Sequence, residues 1–395
     1  MTSHPATTTL AVDDATRQSL ATGPVGMALL SVEHAWTSTG TWAAAQGNIR
    51  RTVTGPVDAA DHTGLYYGAP ALAFLLHAAA DRHPHYRAAG DILDDHVLRI
   101  AQTKLAAATN RIERGEPTAF AEYDLFYGLT GIGALLLHQD RRDTTTEDVL
   151  AAILRYVVEL TRPRRYDGVE VPGWWVAHDP DKLMPTPGGH ANLGMAHGAA
   201  GLTALLALAS LRGHHVPGHH DALGVLTAWF DQWRQDSPTG AWWPQWITAD
   251  ELRTGTPTQP AAGRPSWCYG SVGIARALQL AALALGGHQQ QDAAEIVLAA
   301  ALTDHELDRI TDPGLCHGIA GIYQTAYRAA HDARTPAIAQ RLPAVAARLT
   351  RHAHTPADSV DNGFLTGSAG IGLALHTLRR AAPPHTGWDT CLLIT

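Results

Sequence analysis

The sequence predicts an all-α protein, an α/α toroid (double α-barrel) of seven helix pairs, and three observations carry that prediction. A G-x-x-G turn recurs seven times along the 395 residues. Each of the last six turns is followed by a run of apolar helix formers, and segments between those runs carry charge on one face only. Repetition of this kind marks stacked supersecondary units that bury a common core.

The copies start at Gly23, Gly68, Gly128, Gly198, Gly270, Gly318 and Gly367, with intervals of 45, 60, 70, 72, 48 and 49 residues. Six keep the second glycine, and the copy at Gly68 has Ala71 in its place. The runs ALAFLLHAA, IGALLLH, LTALLALASL, IARALQLAALAL, IYQTAYRAA and IGLALHTLRR follow in order. They are apolar around most of a helix and so predict helices buried on most sides. TTEDVLAAILRYVVELT and PAIAQRLPAVAARLTRHAH predict amphipathic outer helices. An interval of ~45 residues accommodates two helices of ~10–14 residues with their loops. Glycine at each helix start allows neighbouring backbones to approach and leaves N–H groups pointing outward, so seven such ends would give one mouth a positive local field; tight packing alone is the other reading.

The chain therefore reads as a single domain, residues 1–395, with one departure. Residues 162–195 are rich in Pro and Gly and look like an insertion contributing to a peptide-binding cleft. GWWVAH at Trp174 and AWWPQW at Trp242 fit either core packing or the walls of that cleft.

Composition narrows the function. Net charge is −8, and no basic run or stripe is present to neutralise phosphates, which argues against nucleic acid as a partner. The N-terminus lacks the pattern of a signal peptide, and no apolar run approaches the ~18 residues needed to span a bilayer. A cytoplasmic protein is expected. Three cysteines are too few for a disulfide framework and point to metal or catalytic thiols. Cys391 lies outside every repeat, near the terminus, where substitutions are expected to be tolerated.

The repeats supply an internal control, because packing alone would fill equivalent positions alike. The pairs preceding the glycine are Ala-Thr, Tyr-Tyr, Phe-Tyr, Ala-His197, Cys268-Tyr269, Cys316-His317 and Leu-Thr. A lone buried Cys is usually a small hydrophobe. Chance placement of two of three cysteines at this position is roughly one in a thousand. Cys268, Cys316 and His317 thus form a candidate zinc set that leaves the fourth position open. His197 shares a slot with Tyr269 and His317 and is read either as a core histidine or as facing the same mouth. Asp124, four residues before Gly128, is either a solvated carboxylate near a helix start or a group reaching that mouth.

His214, His215, His219 and His220 in RGHHVPGHH flank Pro and Gly and lack cysteine partners, so they read as a solvated loop. No HExxH, GxGxxG or Walker motif is present.

Together RPSWCYG, LCHGIAG, MAHGAAG and the seven turns resemble the LanC family, the lanthionine-forming cyclases of lanthipeptide biosynthesis. The resemblance covers essentially the whole chain. It implies an α/α toroid holding one catalytic zinc per chain on Cys268, Cys316 and His317. It also carries catalytic positions onto His197, Asp124, Arg264, Tyr269 and Trp267. The implied reaction is Michael-type addition of a peptide Cys thiolate to dehydroalanine or dehydrobutyrine, giving a lanthionine or methyllanthionine thioether. His197 would be the acid that protonates the enolate, with Asp124 tuning or orienting it and Arg264 and Tyr269 holding substrate or stabilising the enolate. The implied partner is a dehydrated precursor peptide, leader plus core, from a separate dehydratase, with an exporter as a further member of a complex at the membrane. A relative that adds glutathione to dehydrated residues, and a toroid that only binds peptide, are the alternatives.

Overall fold

The computed structural model describes residues 16–139, 143–181, 183–353 and 361–395. Its inner helices are α1 (Pro24–Trp36), α3 (Ala69–Ala80), α5 (Leu129–His138), α7 (Ala199–Leu211), α9 (Ser271–Leu285), α11 (Ile319–Asp332) and α13 (Ser368–Arg380). Between them run the outer helices α2 (Trp42–Thr52), α4 (Arg87–Glu113), α6 (Thr144–Leu160), α8 (His219–Trp233), α10 (His288–Ala301) and α12 (Leu342–Ala353). Each inner helix touches the next in chain order, and α13 returns to α1, so the ring closes. Burial follows the predicted pattern. In α7 every residue from Ala199 to Ser210 is buried, whereas α6 buries one stripe that includes Val149, Ile153, Leu154, Val157 and Leu160.

The glycines work differently from the expectation. In five copies a Cβ on the second glycine would collide with the chain's own carbonyl six residues earlier: Gly131 with Leu125, Gly201 with Met195, Gly273 with Trp267, Gly321 with Leu315 and Gly370 with Phe364. The close approach is made by the loop preceding each helix, not chiefly by a neighbouring helix. First-turn N–H groups are satisfied by that same loop, as in Ile319 N–H to Asp312 O (2.9 Å) and Ser368 N–H to Asp361 O (2.9 Å). The expected crown of free N–H groups is therefore largely absent. The copy with Ala71 also departs in backbone, Gly68 standing at φ +73° where the other first glycines are extended.

Backbone hydrogen bonds link these loops round the mouth. Leu20 donates to Tyr66 O, Phe364 to Leu20 O, Cys316 to Leu365 O, Cys268 to Cys316 O, Met195 to Cys268 O and Leu125 to Ala196 O, at 2.8–3.1 Å. The residue three before each glycine points into the core: Leu20, Leu65, Leu125, Met195, Trp267, Leu315 and Phe364 are all at most 1% exposed.

No outer helix follows α13, so the described residues hold seven inner and six outer helices. Instead residues 385–395 turn inward along the ring axis. Glu33 accepts from the Thr386 N–H, Tyr66 donates to Cys391 O, Thr390 meets His138, and Trp267 Nε1 donates to Leu392 O. Arg276 donates to Ile394 O, Gln324 and Arg328 hold Asp389, Arg212 reaches Thr395, and Trp388 packs edge-on against Phe364. One segment can meet elements of all seven copies only at the centre. Cys391 is fully buried there, which corrects the expectation of tolerance drawn from its position in the sequence.

Residues 162–195 contain no helix among those described. They form a hairpin of β1 (Arg164–Tyr166) and β2 (Val169–Val171) and end in β3 (His190–Asn192). After the hairpin β4 (Gln235–Ser237)–β5 (Gly240–Trp242), β6 (Trp246–Thr248) pairs antiparallel with β3. Trp174 and Trp175 are each 1% exposed, and Trp242 and Trp243 are also buried, so these four pack in the core, whereas Trp246 is half-buried. His219 is also buried, against the expectation of a solvated loop.

The glycine geometry yields a paired test. Gly273→Ala should cost about 3 kcal/mol or more, because the clash is with backbone that cannot yield. Gly224→Ala, inside α8 with nothing within 4 Å of the added carbon, should gain about 0.5–1 kcal/mol. Urea denaturation of both variants checks the contrast.

Candidate functional site

The backbone hydrogen bond from Cys268 N–H to Cys316 O (3.1 Å) places the loops of the fifth and sixth copies side by side at the mouth. Their thiols and the His317 imidazole have ligand atoms within 4.8 Å of one another, and theirs is the one such cluster among the described residues. A hydrogen bond from Cys316, reinforced by His317 against the opposing effect of burial, holds the Cys268 thiol well below its ordinary range. The same partnership, with burial, pushes Cys316 up. His317 is pushed up to about 9, first by Asp312 and then by Cys268.

His317 Nε2 lies 3.2 Å from Asp312 Oδ2. That contact leaves Nδ1 as the nitrogen that meets Cys268 and could ligate a metal, the arrangement in which a ligating histidine gives its other N–H to a carboxylate. Two sulfurs, one nitrogen and a preset tautomer fit zinc with an open fourth position.

Beside this cluster, His197 Nδ1 donates across 2.6 Å to Asp124 Oδ2, while Asp124 Oδ1 accepts the N–H groups of Tyr127 (2.7 Å) and Gly128 (2.9 Å). Asp124 is buried, and the His197 side chain is 20% exposed, so Nε2 is the nitrogen left to meet a ligand. Phe120 stacks on the imidazole at 4.8 Å and Phe126 closes its edge at the same separation. Tyr123 O–H anchors the His197 carbonyl at 2.7 Å. The Tyr269 ring centre lies 6.1 Å from that of His197, next to Cys268, and its hydroxyl is raised by burial and then by the Cys268 charge.

Arg264 is exposed at the rim, close enough to act electrostatically on both Asp312 and Cys316. Trp267 is the residue the structure does not bring to the mouth. It is fully buried and its indole N–H is taken by Leu392 O, so it supports the Cys268 loop from beneath and cannot touch a substrate. The repeat pattern carries that signal, because the third residue before each glycine is large and apolar in every copy.

Sequence reasoning missed Asp312. The sixth residue before each glycine is polar in all seven copies, as Arg17, His62, Glu122, Asn192, Arg264, Asp312 and Asp361. Asp361 accepts the Thr366 hydroxyl (2.9 Å) from the slot that His317 fills in the sixth copy. Asp124 is an outlier of another kind: the fourth residue before the glycine is Gly or Ser in the other six copies.

A closed ring of inner helices with two thiols and an imidazole gathered at one mouth defines an α/α toroid with a candidate metal centre beside a histidine–carboxylate pair. The chain belongs to the lanthionine synthetase C-like protein family, whose model matches residues 14–393. It is similar to the nisin biosynthesis protein NisC of Lactococcus lactis subsp. lactis, at 27% identity over 267 residues, 66% of this chain and 60% of that protein. The match thus spans about three fifths of the relative's length. In fold it resembles a solved structure of nisin cyclase, with a TM-score of 0.82 at 22% identity, covering 96% of this chain and 92% of the other.

Asp312→Asn should weaken metal affinity by about 10–100-fold, since the amide cannot hold His317 as a carboxylate does. The fold should survive, because an amide oxygen still accepts the Gly314 N–H that Asp312 Oδ1 takes at 2.7 Å. Competition with a chromophoric chelator measures the first effect and thermal unfolding the second.

Proposed function

We propose that the protein is a zinc-dependent lanthipeptide cyclase. It would join the thiolate sulfur of a peptide Cys to the β-carbon of a dehydroalanine or dehydrobutyrine in the same peptide. A carbon–sulfur bond forms, the thiol gives up its proton, and the α-carbon gains one, so no oxidant or reductant is needed. The observation that carries this reading is the placing of a Cys268–Cys316–His317 donor set next to the His197–Asp124 pair, with Tyr269 between them.

Cys268, Cys316 and His317 would hold the zinc, which when bound with one position open makes a coordinating thiol acidic enough to lose its proton at neutral pH. His197 supplies the other half of the proton balance. With Nδ1 tied to Asp124, its Nε2 carries or accepts the proton exchanged with the substrate α-carbon, and the buried carboxylate orients the ring. Phe120 and Phe126 pin the ring, so the acid is positioned before substrate arrives. The Tyr269 hydroxyl, kept protonated by its surroundings, donates to a developing enolate oxygen, and Arg264 adds positive charge at the rim. The substrate would be a dehydrated precursor peptide made by a separate dehydratase. No helix among the described residues is long and apolar enough to cross a membrane.

The mouth should hold about one zinc per chain, and Cys268→Ala or Cys316→Ala should abolish binding there. Metal analysis decides; full occupancy in both variants contradicts the ligand assignment. His197→Asn should keep zinc and fold yet slow ring closure by ~10²–10⁴-fold. Incubation with a dehydrated precursor, followed by alkylation of free thiols and mass measurement, reads the rate. Wild-type rates would remove His197 from proton transfer, and zinc loss would make it a ligand.

A further inference from the structure

The histidine-rich segment 212–220 follows α7, at the end of that helix remote from Gly198 and the mouth. Thirteen helical residues separate the two ends by about 20 Å. Gly218, in the left-handed conformation, starts α8 so that His219 turns inward while His215 and His220 stay exposed. His219 Nε2 donates to Leu206 O of α7 at 2.8 Å, which settles its tautomer. Its Nδ1 is therefore a bare lone pair. That atom is buried in a side chain only 3% exposed and has no hydrogen-bond partner. Burying an acceptor without a partner costs about 1–3 kcal/mol, which an occupant at Nδ1 would offset.

His215 and His220 are the aromatic neighbours of this ring. The ring centres of His215 and His219 are 5.7 Å apart, those of His215 and His220 5.4 Å, and those of His219 and His220 6.1 Å. Three imidazoles on one tetrahedral ion, with metal–nitrogen bonds of ~2.0–2.1 Å, hold their ring centres about 5 Å apart. The rings are within about 1 Å of that spacing. Their nitrogens do not all converge as those at the mouth do, and rotation of the two exposed rings is what closure requires. All three line one cavity of about 370 Å³ together with Asp221. Burial lowers the His219 pKa, keeping its ring in the neutral form a metal needs.

We propose that His215, His219 and His220 form a second divalent transition-metal site, selective for imidazole-preferring ions such as Zn²⁺, Ni²⁺ or Cu²⁺, on the face opposite the mouth. Its donor set contains no sulfur and needs nothing from Cys268 or Cys316. Cobalt(II) separates the two sites, because only thiolate ligands give a near-ultraviolet sulfur-to-cobalt charge-transfer band. Titration of the untagged full chain with Co²⁺ should show one equivalent with that band and a second, weaker one with visible ligand-field absorption alone. His215→Ala/His220→Ala, both exposed positions, should lose only the second equivalent, and Cys268→Ala only the first. A single equivalent in the wild type, or a second that persists in the histidine double variant, overturns the proposal.

Discussion

The site depends on a girdle of backbone hydrogen bonds that runs from loop to loop round the mouth. A helix bundle held by side chains alone would let each copy slide against its neighbour by the width of a methyl group. Peptide groups bonded at 2.8–3.1 Å leave no such slack. The Cys268 N–H to Cys316 O bond brings two cysteines from distant parts of the chain into the same few ångströms, and the Met195 bond to Cys268 O sets His197 beside them. Glycine is the condition for this arrangement. In five copies a side chain at the second glycine would push the loop off the helix it precedes, and with it off the next loop.

On that symmetric frame, function comes from departures. Equivalent positions offer every copy the same vantage over the mouth, so a single residue type placed there acquires a role from its neighbours in the ring. Thr366 and His317 show this most directly. Both meet an aspartate six residues before their glycine, but only His317 stands next to a cysteine and beside a second cysteine across the girdle. Asp124 replaces a small residue with a carboxylate, and the backbone N–H groups of Tyr127 and Gly128 hold it so that its other oxygen meets His197.

The seven turns, the buried inner helices and the three metal-capable residues were legible in the sequence, because glycine spacing and slot composition are local properties repeated often enough to check one another. Trp267 and Asp312 were legible in the same comparison extended one and four residues upstream: one fills an apolar position shared by all copies, the other a polar one. Cys391 and His219 were not. Cys391 is buried by contacts with residues such as Tyr66, 325 positions away, and His219 by the end of α7. Nothing local to CLLIT or to VPGHH records what will lie against it.

The segment along the axis turns what could have been a tube into a cup. Trp388 and residues 391–394 are fully buried against the inner helices, and Asp389 is clamped by Arg328 and Gln324. A chain cannot thread from one face of such a ring to the other. Whatever is worked on at the mouth must arrive and depart on the same side, so its bulk after reaction is not limited by the bore of the toroid. For a peptide substrate of the kind proposed, successive sites could then be presented in any order, by docking and release at a single open surface.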